Sequence, residues 1–268
     1  MNTETFLLEI GTEELPPKAL KTLSTAFCHE ILNGLLEAEL ITDEQVRQAT
    51  PFATPRRLAI SVPDVRSAQP DQIIERRGPT VQAAFNDDGQ ATPAALGFAK
   101  SCGVQLDTLE RLVTDKGEWL SFNVEQTGKT IDELIPQIIK QAIKRLPIAK
   151  RMRWGAGDAE FVRPVHWLIV MHGTNIIETS VLNATSSNST LGHRFHSTGQ
   201  LSIAHANDYQ KVLHEEGHVI ANFKERRSMI QQQVSELASQ INGHIEQDPE
   251  LLDEVTGLVE FPSAILGS

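Results

Sequence analysis

The sequence predicts an α+β fold in which a mixed or antiparallel sheet forms the body. Three observations support this class. A short apolar run at residues 5–10 stops at Gly11, as a buried strand does. An amphipathic helix follows this run, and two β-prone stretches at residues 57–65 and 71–77 then look like a pair of strands. Strand, helix, strand and strand in this order open an α+β domain.

The first helix is predicted from its start signal and its apolar stripe. Pro16 and Pro17 suit the first turn of a helix. The stripe has spacings of three and four residues and consists of Leu20, Leu23, Phe27, Ile31 and Leu35. We interpret Glu13 and Glu14 as residues that favour the N-terminal end of this helix, rather than as a catalytic carboxylate cluster with Glu9.

The stretch from about residue 79 to 150 is predicted to be a largely helical insertion in the body. Thr92 and Pro93 start one helix and Gly103 ends it, and a hairpin-like turn follows at residues 115–117. Thr130 and Glu133 have the spacing of a capping box before a long apolar stripe. Pro136 conflicts with that stripe, so the helix either kinks there or begins nearer Glu133.

The remaining chain is predicted to return to the sheet and then to become helical. Residues 165–172 and 175–182 indicate a central hairpin, and residues 184–190 indicate a surface loop. We therefore expect an α/β body at residues 1–206 and a helical segment at 207–268. The apolar end of the chain looks like a strand that breaks off, and we expect it to lead into a further C-terminal part of a longer protein.

Composition limits the class of protein. The 268 residues carry a formal net charge of −11, with 22% charged and 40% hydrophobic residues, which is ordinary for a globular protein. Cys28 and Cys102 form no close pair, and no leader or membrane span is recognisable, so we expect a cytoplasmic protein. Phosphate-loop, dinucleotide-binding and Gly-x-Ser-x-Gly motifs do not occur. His193 and His196 form the one close histidine pair, but further ligands at metal spacing do not accompany them, so no metal site is expected.

A basic segment at residues 144–167 contrasts with the acidic chain. The segment contains six lysines and arginines but only two acids, Asp158 and Glu160, which gives a local charge of +4. Aromatic residues are interleaved with these cations, and a local patch of this kind can dock a polyanion although the whole chain would repel it. The alternative is a solvated basic helix end that precedes a core strand.

Two arginine pairs lie beside proline or glycine. Arg56 and Arg57 follow a proline, and Arg76 and Arg77 precede a Gly-Pro dipeptide. Turns of this kind can present guanidinium groups to phosphate or carboxylate. The alternative is that one arginine of each pair is bound to an acid and the other is solvated.

Seven motifs in register carry a resemblance over essentially the whole chain. They read EIGTEELPPKAL (9–20), TPRRLA (54–59), RRGP (76–79), DKGEWL (115–120), KRMRWG (150–155), FVRPVHW (161–167) and GHRF (192–195). The series resembles the N-terminal part of the β subunit of bacterial glycyl-tRNA synthetases, whose members are much longer than this chain.

The resemblance implies a class II tRNA ligase of two α and two β subunits. The α subunit would activate glycine with ATP and Mg²⁺, and the β subunit would hold tRNA(Gly), so no cofactor is expected in this chain. The resemblance also implies that the body is related to the tRNA-editing domain of phenylalanyl-tRNA synthetase β chains. Hydrolytic editing of mischarged tRNA is the alternative function, but glycine is the smallest amino acid and a tight α-subunit pocket can exclude larger ones.

With this resemblance, we interpret the basic and aromatic residues as contacts to tRNA phosphates or to the acceptor end. The predicted tRNA-binding residues are Arg56, Arg57, Arg76, Arg77, Lys150, Arg151, Arg153, Trp154, Arg163, His193, Arg194 and Phe195. Trp154 or Phe195 could stack on an unpaired base. No catalytic residue is predicted.

Overall fold

The structure is a computed structural model that describes residues 2–267. The helices are α1 Pro17–Glu37, α2 Asp43–Gln48, α3 Val81–Ala84, α4 Pro93–Cys102, α5 Ile131–Arg145, α6 Tyr209–Glu215, α7 Phe223–Gln240 and α8 Pro249–Thr256. The strands are β1 Thr3–Thr12, β2 Thr50–Thr54, β3 Arg57–Arg66, β4 Gln72–Thr80, β5 Glu110–Thr114, β6 Gly117–Gln126, β7 Met152–Arg153, β8 Glu160–Phe161, β9 Val165–His172, β10 Asn175–Ile176, β11 Ser180–Val181, β12 Ala184–Ser187, β13 Ser189–Leu191 and β14 Gln200–Ser202. The predicted α+β class is confirmed.

The chain divides into two compact units. The first unit, which we call the body, consists of the residues up to Ala68 and from Thr130 onward. The second unit is Gln69–Lys129. The second unit begins before the insertion expected at about residues 79–150 and ends before α5.

The body contains a mixed sheet with the strand order β11-β12-β9-β1-β3-β2. Neighbouring strands are antiparallel, except that β12 runs parallel to β9. β1 is central because its residues are apolar on both faces, and it is buried from Thr5 to Thr12. The predicted strand at residues 5–10 is thus confirmed.

Helices cover both faces of this sheet. On one face, Phe6, Leu8 and Ile10 of β1 pack in a core with the apolar stripes of α1 and α5. On the other face, Leu7 packs with residues of α6 such as Leu213. The alternation of side chains along β1 therefore supplies two separate cores from one strand.

Helix α5 resolves the conflict at Pro136. Thr130 and Glu133 form the predicted capping box, and the helix runs through Pro136 to Arg145. Its isoleucines are buried against the body, and this apolar burial outweighs the hydrogen bond that one proline removes.

The second unit is an antiparallel sheet, β4-β6-β5, with α3 and α4 packed on it around Ala84, Ala95 and Leu120. This composition differs from the largely helical insertion that the sequence predicted. The predicted pairing of residues 57–65 with 71–77 is wrong, because β3 pairs with β1 and β2 while β4 pairs with β6. β3 is mostly buried and belongs in the body sheet, whereas the first six residues of β4 are exposed.

Three further differences concern the end of the body. Residues 184–190 were expected to form a loop, but β12 and β13 lie there, and Ser187 Oγ–H donates to the Leu168 carbonyl (3.4 Å). Of the strand predicted at 175–182, only β10 pairs with β9. The strand expected at residues 259–268 is not formed at 259–267, and Ser268 lies outside the described residues.

Candidate functional site

The C-terminal end of β1 lies beside the N-terminal ends of β3 and β9 in the body sheet. Gly11 lies opposite Arg57 and opposite Trp167. The chain continues along these strand ends, because the Thr12 N–H donates to the Arg56 carbonyl (2.8 Å). We call this region the strand-end site, and its segments are residues 9–15, 54–57, 163–167 and 190–196. Four of the seven sequence motifs therefore converge at one place.

The close approach of the Trp167 ring requires glycine at position 11. A Cβ atom there would lie 1.8 Å from a ring carbon of Trp167, so the indole would have to move. The indole Nε1–H donates to the Glu9 carboxylate. Glu9 and Gly11 are two residues apart in a strand and therefore serve the same face of the sheet.

Glu9 is fully buried and surrounded by donors. Thr190 Oγ–H donates to Glu9 Oε1 (2.5 Å), and the Tyr209 hydroxyl donates to Glu9 Oε2. Burial raises the pKa of Tyr209 well above its ordinary value, and the Glu9 carboxylate raises it further. Tyr209 thus stays a protonated donor to Glu9.

Arg57 is the cation that faces Glu9, and its side chain has no exposed surface. Its Nη1 lies 3.5 Å from Glu9 Oε2, and its Nη2 lies 3.5 Å from Glu260 Oε1. Burial alone would lower the pKa of Arg57, but the two carboxylates outweigh burial and raise it. The prediction that Arg57 contacts tRNA is therefore corrected, because a fully buried and paired guanidinium cannot reach a phosphate.

A second buried arginine, Arg226 in α7, fastens the C-terminal helices to the body. Its Nη2 donates to the Ala53 carbonyl in β2 (2.7 Å) and to the Thr256 carbonyl at the end of α8 (3.2 Å). Burial lowers the pKa of Arg226 to about 10, so the group stays charged at neutral pH. Glu260 adds a further link, because it accepts a hydrogen bond from Thr54 Oγ (2.6 Å).

Arg56 is the outer arginine of the same turn. It is half-buried, and its guanidinium carbon lies 5.7 Å from the centroid of the Trp167 ring. Within residues 2–267 it forms no ion pair. Its Nε is buried without a hydrogen-bond partner, so an anion would have to bind at the terminal Nη groups. Arg56 is therefore a cation that is positioned on an aromatic ring and remains able to receive an anion.

Glu13 and Glu14 bind the neighbouring cations. Arg194 lies 3.8 Å from Glu13 Oε2 and 3.6 Å from Glu14 Oε1, and His166 Nε2 lies 3.0 Å from Glu13 Oε1. The expectation that the two glutamates act at the start of the first helix is wrong, because α1 begins at Pro17 and has no acid in its first turn.

His193 organises the loop that presents Phe195. Its Nδ1 accepts hydrogen bonds from the N–H groups of Phe195 (3.2 Å) and His196 (3.3 Å), which requires Nδ1 to be unprotonated. Burial lowers the pKa of His193 and outweighs the nearby Glu260 carboxylate. The Phe195 side chain is 83% exposed, which is rare for a large apolar ring and leaves its face open for stacking.

Comparison with known proteins gives a consistent result over the whole chain. The family model described as glycyl-tRNA synthetase beta subunit matches residues 6–268. This chain belongs to that family. It is 48% identical to the glycine–tRNA ligase beta subunit of Marinobacter nauticus and 47% identical to that of Hahella chejuensis, each over 100% of this chain. The match covers 38% of each relative, so the chain spans well under half of their length.

The basic segment at residues 150–154 lies beside α5. Arg151 Nη2 donates to the Ile143 and Lys144 carbonyls (3.3 Å each), and Lys150 is exposed. Arg153 lies 3.8 Å from Asp158, and both side chains are well exposed. Trp154 is half-buried and packs against the main core, so only part of its ring is open to a base.

Arg163 links this basic segment to the strand-end site. Its Nε donates to the Glu14 carbonyl (3.0 Å), and its Nη1 lies 3.4 Å from Met152 Sδ in β7. The predicted residues of the body thus form one connected region, with Arg163 itself held by main-chain carbonyls.

Arg76 and Arg77 lie in the second unit. Arg76 Nη1 donates to the Ser101 carbonyl (3.1 Å), and the Arg77 guanidinium stacks 3.4 Å from the centroid of the Trp119 ring. Both arginines are exposed in that unit. The residues predicted to bind tRNA are therefore divided between the two units.

Neither a metal site nor a membrane-spanning helix occurs in the described part of the chain. Among residues 2–267, no three or more His, Cys, Asp or Glu side chains are grouped in a way that could hold a metal ion. The helices of the same range include none with the length and apolar composition of a membrane span.

Sequence reasoning missed the buried part of the site. Tyr209, Thr190 and Glu260 are far from Glu9 in the sequence, and no motif connects them. The available signal was Glu9 itself, because a carboxylate inside the apolar run FLLEI must find buried donors or remain exposed.

Proposed function

We propose that this chain is the tRNA-binding N-terminal region of a β subunit of the cytoplasmic, heterotetrameric glycine–tRNA ligase. In this proposal the α subunit activates glycine with ATP and Mg²⁺ and transfers it, while the region described here positions tRNA(Gly) and supports assembly. Family membership supports the enzyme class. The observation that carries tRNA binding is Arg56, a cation without a carboxylate partner among the described residues, which lies over the Trp167 ring. The exposed Phe195 ring belongs to another segment of the same site.

The pairing of the other cations narrows the proposed surface. Arg194 and Arg153 each face a carboxylate, so they can contact a phosphate only if it competes with Glu13, Glu14 or Asp158. Arg56 and Lys150 require no such exchange. We therefore assign the main phosphate contacts of the body to Arg56 and Lys150, with Phe195 as the stacking residue.

We also propose that the body is related to the editing domain of phenylalanyl-tRNA synthetase β chains but binds tRNA without hydrolysis. The arrangement of Glu9 supports this absence of hydrolysis. Its oxygens are occupied by Trp167, Thr190 and Tyr209, and the residue has no exposed surface, so it cannot activate a water at an ester.

The test uses the full-length subunit together with its α partner. Binding of tRNA(Gly) is titrated at rising salt concentration for the wild type and for Arg56→Gln. We expect weaker binding and a salt slope that is lower by about one, because one phosphate contact is lost.

The matched control is Arg66→Gln, at the opposite end of β3, where the guanidinium donates to the Glu39 carbonyl (3.0 Å). Affinity and slope of this variant should equal those of the wild type. An unchanged salt slope in Arg56→Gln would exclude Arg56 as a phosphate contact.

A further inference from the structure

A groove separates α5 from the hairpin of β11 and β12. It encloses about 440 Å³. The helix lines it with Gln137, Lys140, Gln141 and Lys144 and with the apolar Ile143, and the hairpin contributes Ser180, Val181 and Leu182. The groove therefore combines apolar surface with polar donors on its helix side. None of the residues that line this groove is acidic, although the chain as a whole has a formal net charge of −11.

The helix contributes a regular donor stripe to the groove. Gln137, Lys140, Gln141 and Lys144 are spaced by three and four residues, so they lie on one face of α5. The other buried isoleucines of α5, Ile131, Ile135, Ile138 and Ile139, do not line the groove and pack in the main core. Two ammonium groups and two amides can all donate hydrogen bonds, and donors are what phosphate oxygens accept.

The charges of this stripe repel each other without compensation in the helix. Lys140 and Lys144 are four residues apart, and like charges at this spacing destabilise a helix. The acids of α5, Asp132 and Glu133, lie in its first turn. Neither lysine forms an ion pair within the described residues. An anion in the groove would remove this repulsion.

The opposite wall of the groove has a defined shape. Leu182 (φ 53°) and Asn183 (φ 64°) both have left-handed backbone conformations, as in a two-residue hairpin turn. The Asn183 side chain packs closely on Gly157, where a Cβ atom would lie 2.6 Å from Asn183 Nδ2. Gly157 follows the basic segment at residues 150–154, so this wall connects the groove to that segment.

We propose that this groove binds the sugar-phosphate backbone of an RNA strand, with Lys140 and Lys144 as phosphate ligands. The proposal rests on the tRNA-binding function above and adds a second contact area to it. The backbone would run from Lys144, where Arg151 closes the end of α5, toward the exposed Lys150. Recognition here is of phosphate and not of base sequence, because the lining offers charge and amide donors but no aromatic ring.

The test compares charge-removing and charge-preserving variants of the full-length subunit with tRNA(Gly) as the probe. Lys140→Gln with Lys144→Gln should lower the salt slope of binding by about two. Lys140→Arg with Lys144→Arg should bind as the wild type does. The matched control is Lys211→Gln with Lys224→Gln, which removes two exposed charges on α6 and α7 that form no ion pair with any residue of 2–267.

The outcomes separate this proposal from the proposed function. If the Lys140/Lys144 glutamine variant keeps the wild-type affinity and slope while Arg56→Gln loses affinity, the groove proposal is wrong and tRNA binding at the strand-end site stands. If the Lys211/Lys224 control loses as much as the groove variant, the loss reflects net charge and the groove proposal is also wrong. A selective loss in the groove variant supports the proposal. Equal loss for a tRNA of different sequence supports phosphate recognition.

Discussion

The inner and outer parts of the strand-end site use neighbouring arginines in opposite ways. In the inner part, Arg57 is fully buried between Glu9 and Glu260. In the outer part, Arg56 rests on the Trp167 ring and has no carboxylate partner among residues 2–267. The two guanidinium carbons lie at similar distances from the centroid of the Trp167 ring, 5.7 Å for Arg56 and 5.8 Å for Arg57. Burial and carboxylate pairing therefore distinguish the structural arginine from the available one.

The comparison shows why a count of cations overstates a binding surface. A buried charge is tolerated only when it is paired. An arginine that pairs with a buried carboxylate is therefore not available to bind RNA. An exposed arginine beside a glutamate, such as Arg194 beside Glu13, is partly neutralised and less available as well. Burial and pairing decide which cations remain for RNA.

The largest expected loss of stability follows from a substitution in the inner part of the site. Arg57→Met leaves the Glu9 and Glu260 carboxylates buried without their cation, and we expect a loss of about 3–5 kcal/mol in the free energy of unfolding. Urea unfolding of the 268-residue chain, followed by circular dichroism, measures this loss.

The outer neighbour is the control for that experiment. Arg56→Met removes a guanidinium that has no ion pair in the described chain, and we expect a change below about 1 kcal/mol. Equal losses for the two variants would contradict the division into an inner and an outer part.

The next effect concerns the packing that holds the two parts together. Gly11→Ala places a Cβ atom where the Trp167 ring lies, and overpacking of this kind should destabilise the chain by about 2–3 kcal/mol. Gly97→Ala is the control, because Gly97 lies inside α4 with open space around it and alanine is the better helix former. We expect the control to gain about 0.5–1 kcal/mol. If the Gly11→Ala chain were as stable as the wild type, the close packing of the Trp167 ring on Gly11 would not contribute to stability.

Local patterns predicted most of the framework of the body. The run at residues 5–10, the stripe of α1 and the capping box of α5 each report burial or capping within a few residues, and each was confirmed. Pairings across the chain were harder. The stretches at 57–65 and 71–77 are both strands, but they belong to different sheets, because strand pairing depends on contacts that a local pattern does not contain.

The outer part of the site was more predictable than the inner part. Cations beside proline, such as Arg56, are visible in the sequence as potential anion contacts. The network around Glu9 joins β1, β3, β9 and β13 with α6 and residue Glu260, so it exists only once the chain has folded. The polar loop expected at 184–190 became strand because its serines bond to the edge of β9, which polarity alone does not show.

A smaller effect tests the loop of the outer part by pH. His193 accepts two backbone hydrogen bonds in its neutral form, and burial lowers its pKa in the folded loop below the ordinary value of 6.5. The open loop therefore takes up a proton more readily than the closed one. The stabilisation of the closed loop by neutral His193 is therefore complete above pH 6.5 and is lost as the pH falls below this value. The protection of the Phe195 and His196 amides from hydrogen exchange, relative to the intrinsic rate at each pH, should therefore fall as the pH is lowered below 6.5.

Asparagine provides the control for the pH experiment. Asn222 accepts from the N–H groups two and three residues later, which is the same pattern as His193. His193→Asn should therefore keep the loop closed and remove its pH dependence, whereas His193→Ala should open it at every pH. A pH dependence that persists in His193→Asn would show that His193 is not the group that titrates.

The smallest effect on stability is expected at the periphery, where it separates folding from binding. Arg153 lies 3.8 Å from Asp158, and both side chains are well exposed, so Arg153→Gln should leave the unfolding midpoint unchanged. Because Asp158 competes with any phosphate for this guanidinium, Arg153→Gln should weaken tRNA binding by the full-length subunit and Asp158→Asn should strengthen it. Opposite shifts at equal stability would place Arg153 on the RNA surface. Parallel shifts, or none, would show that the pair is only a solvated charge pair at the tip of the β7–β8 hairpin.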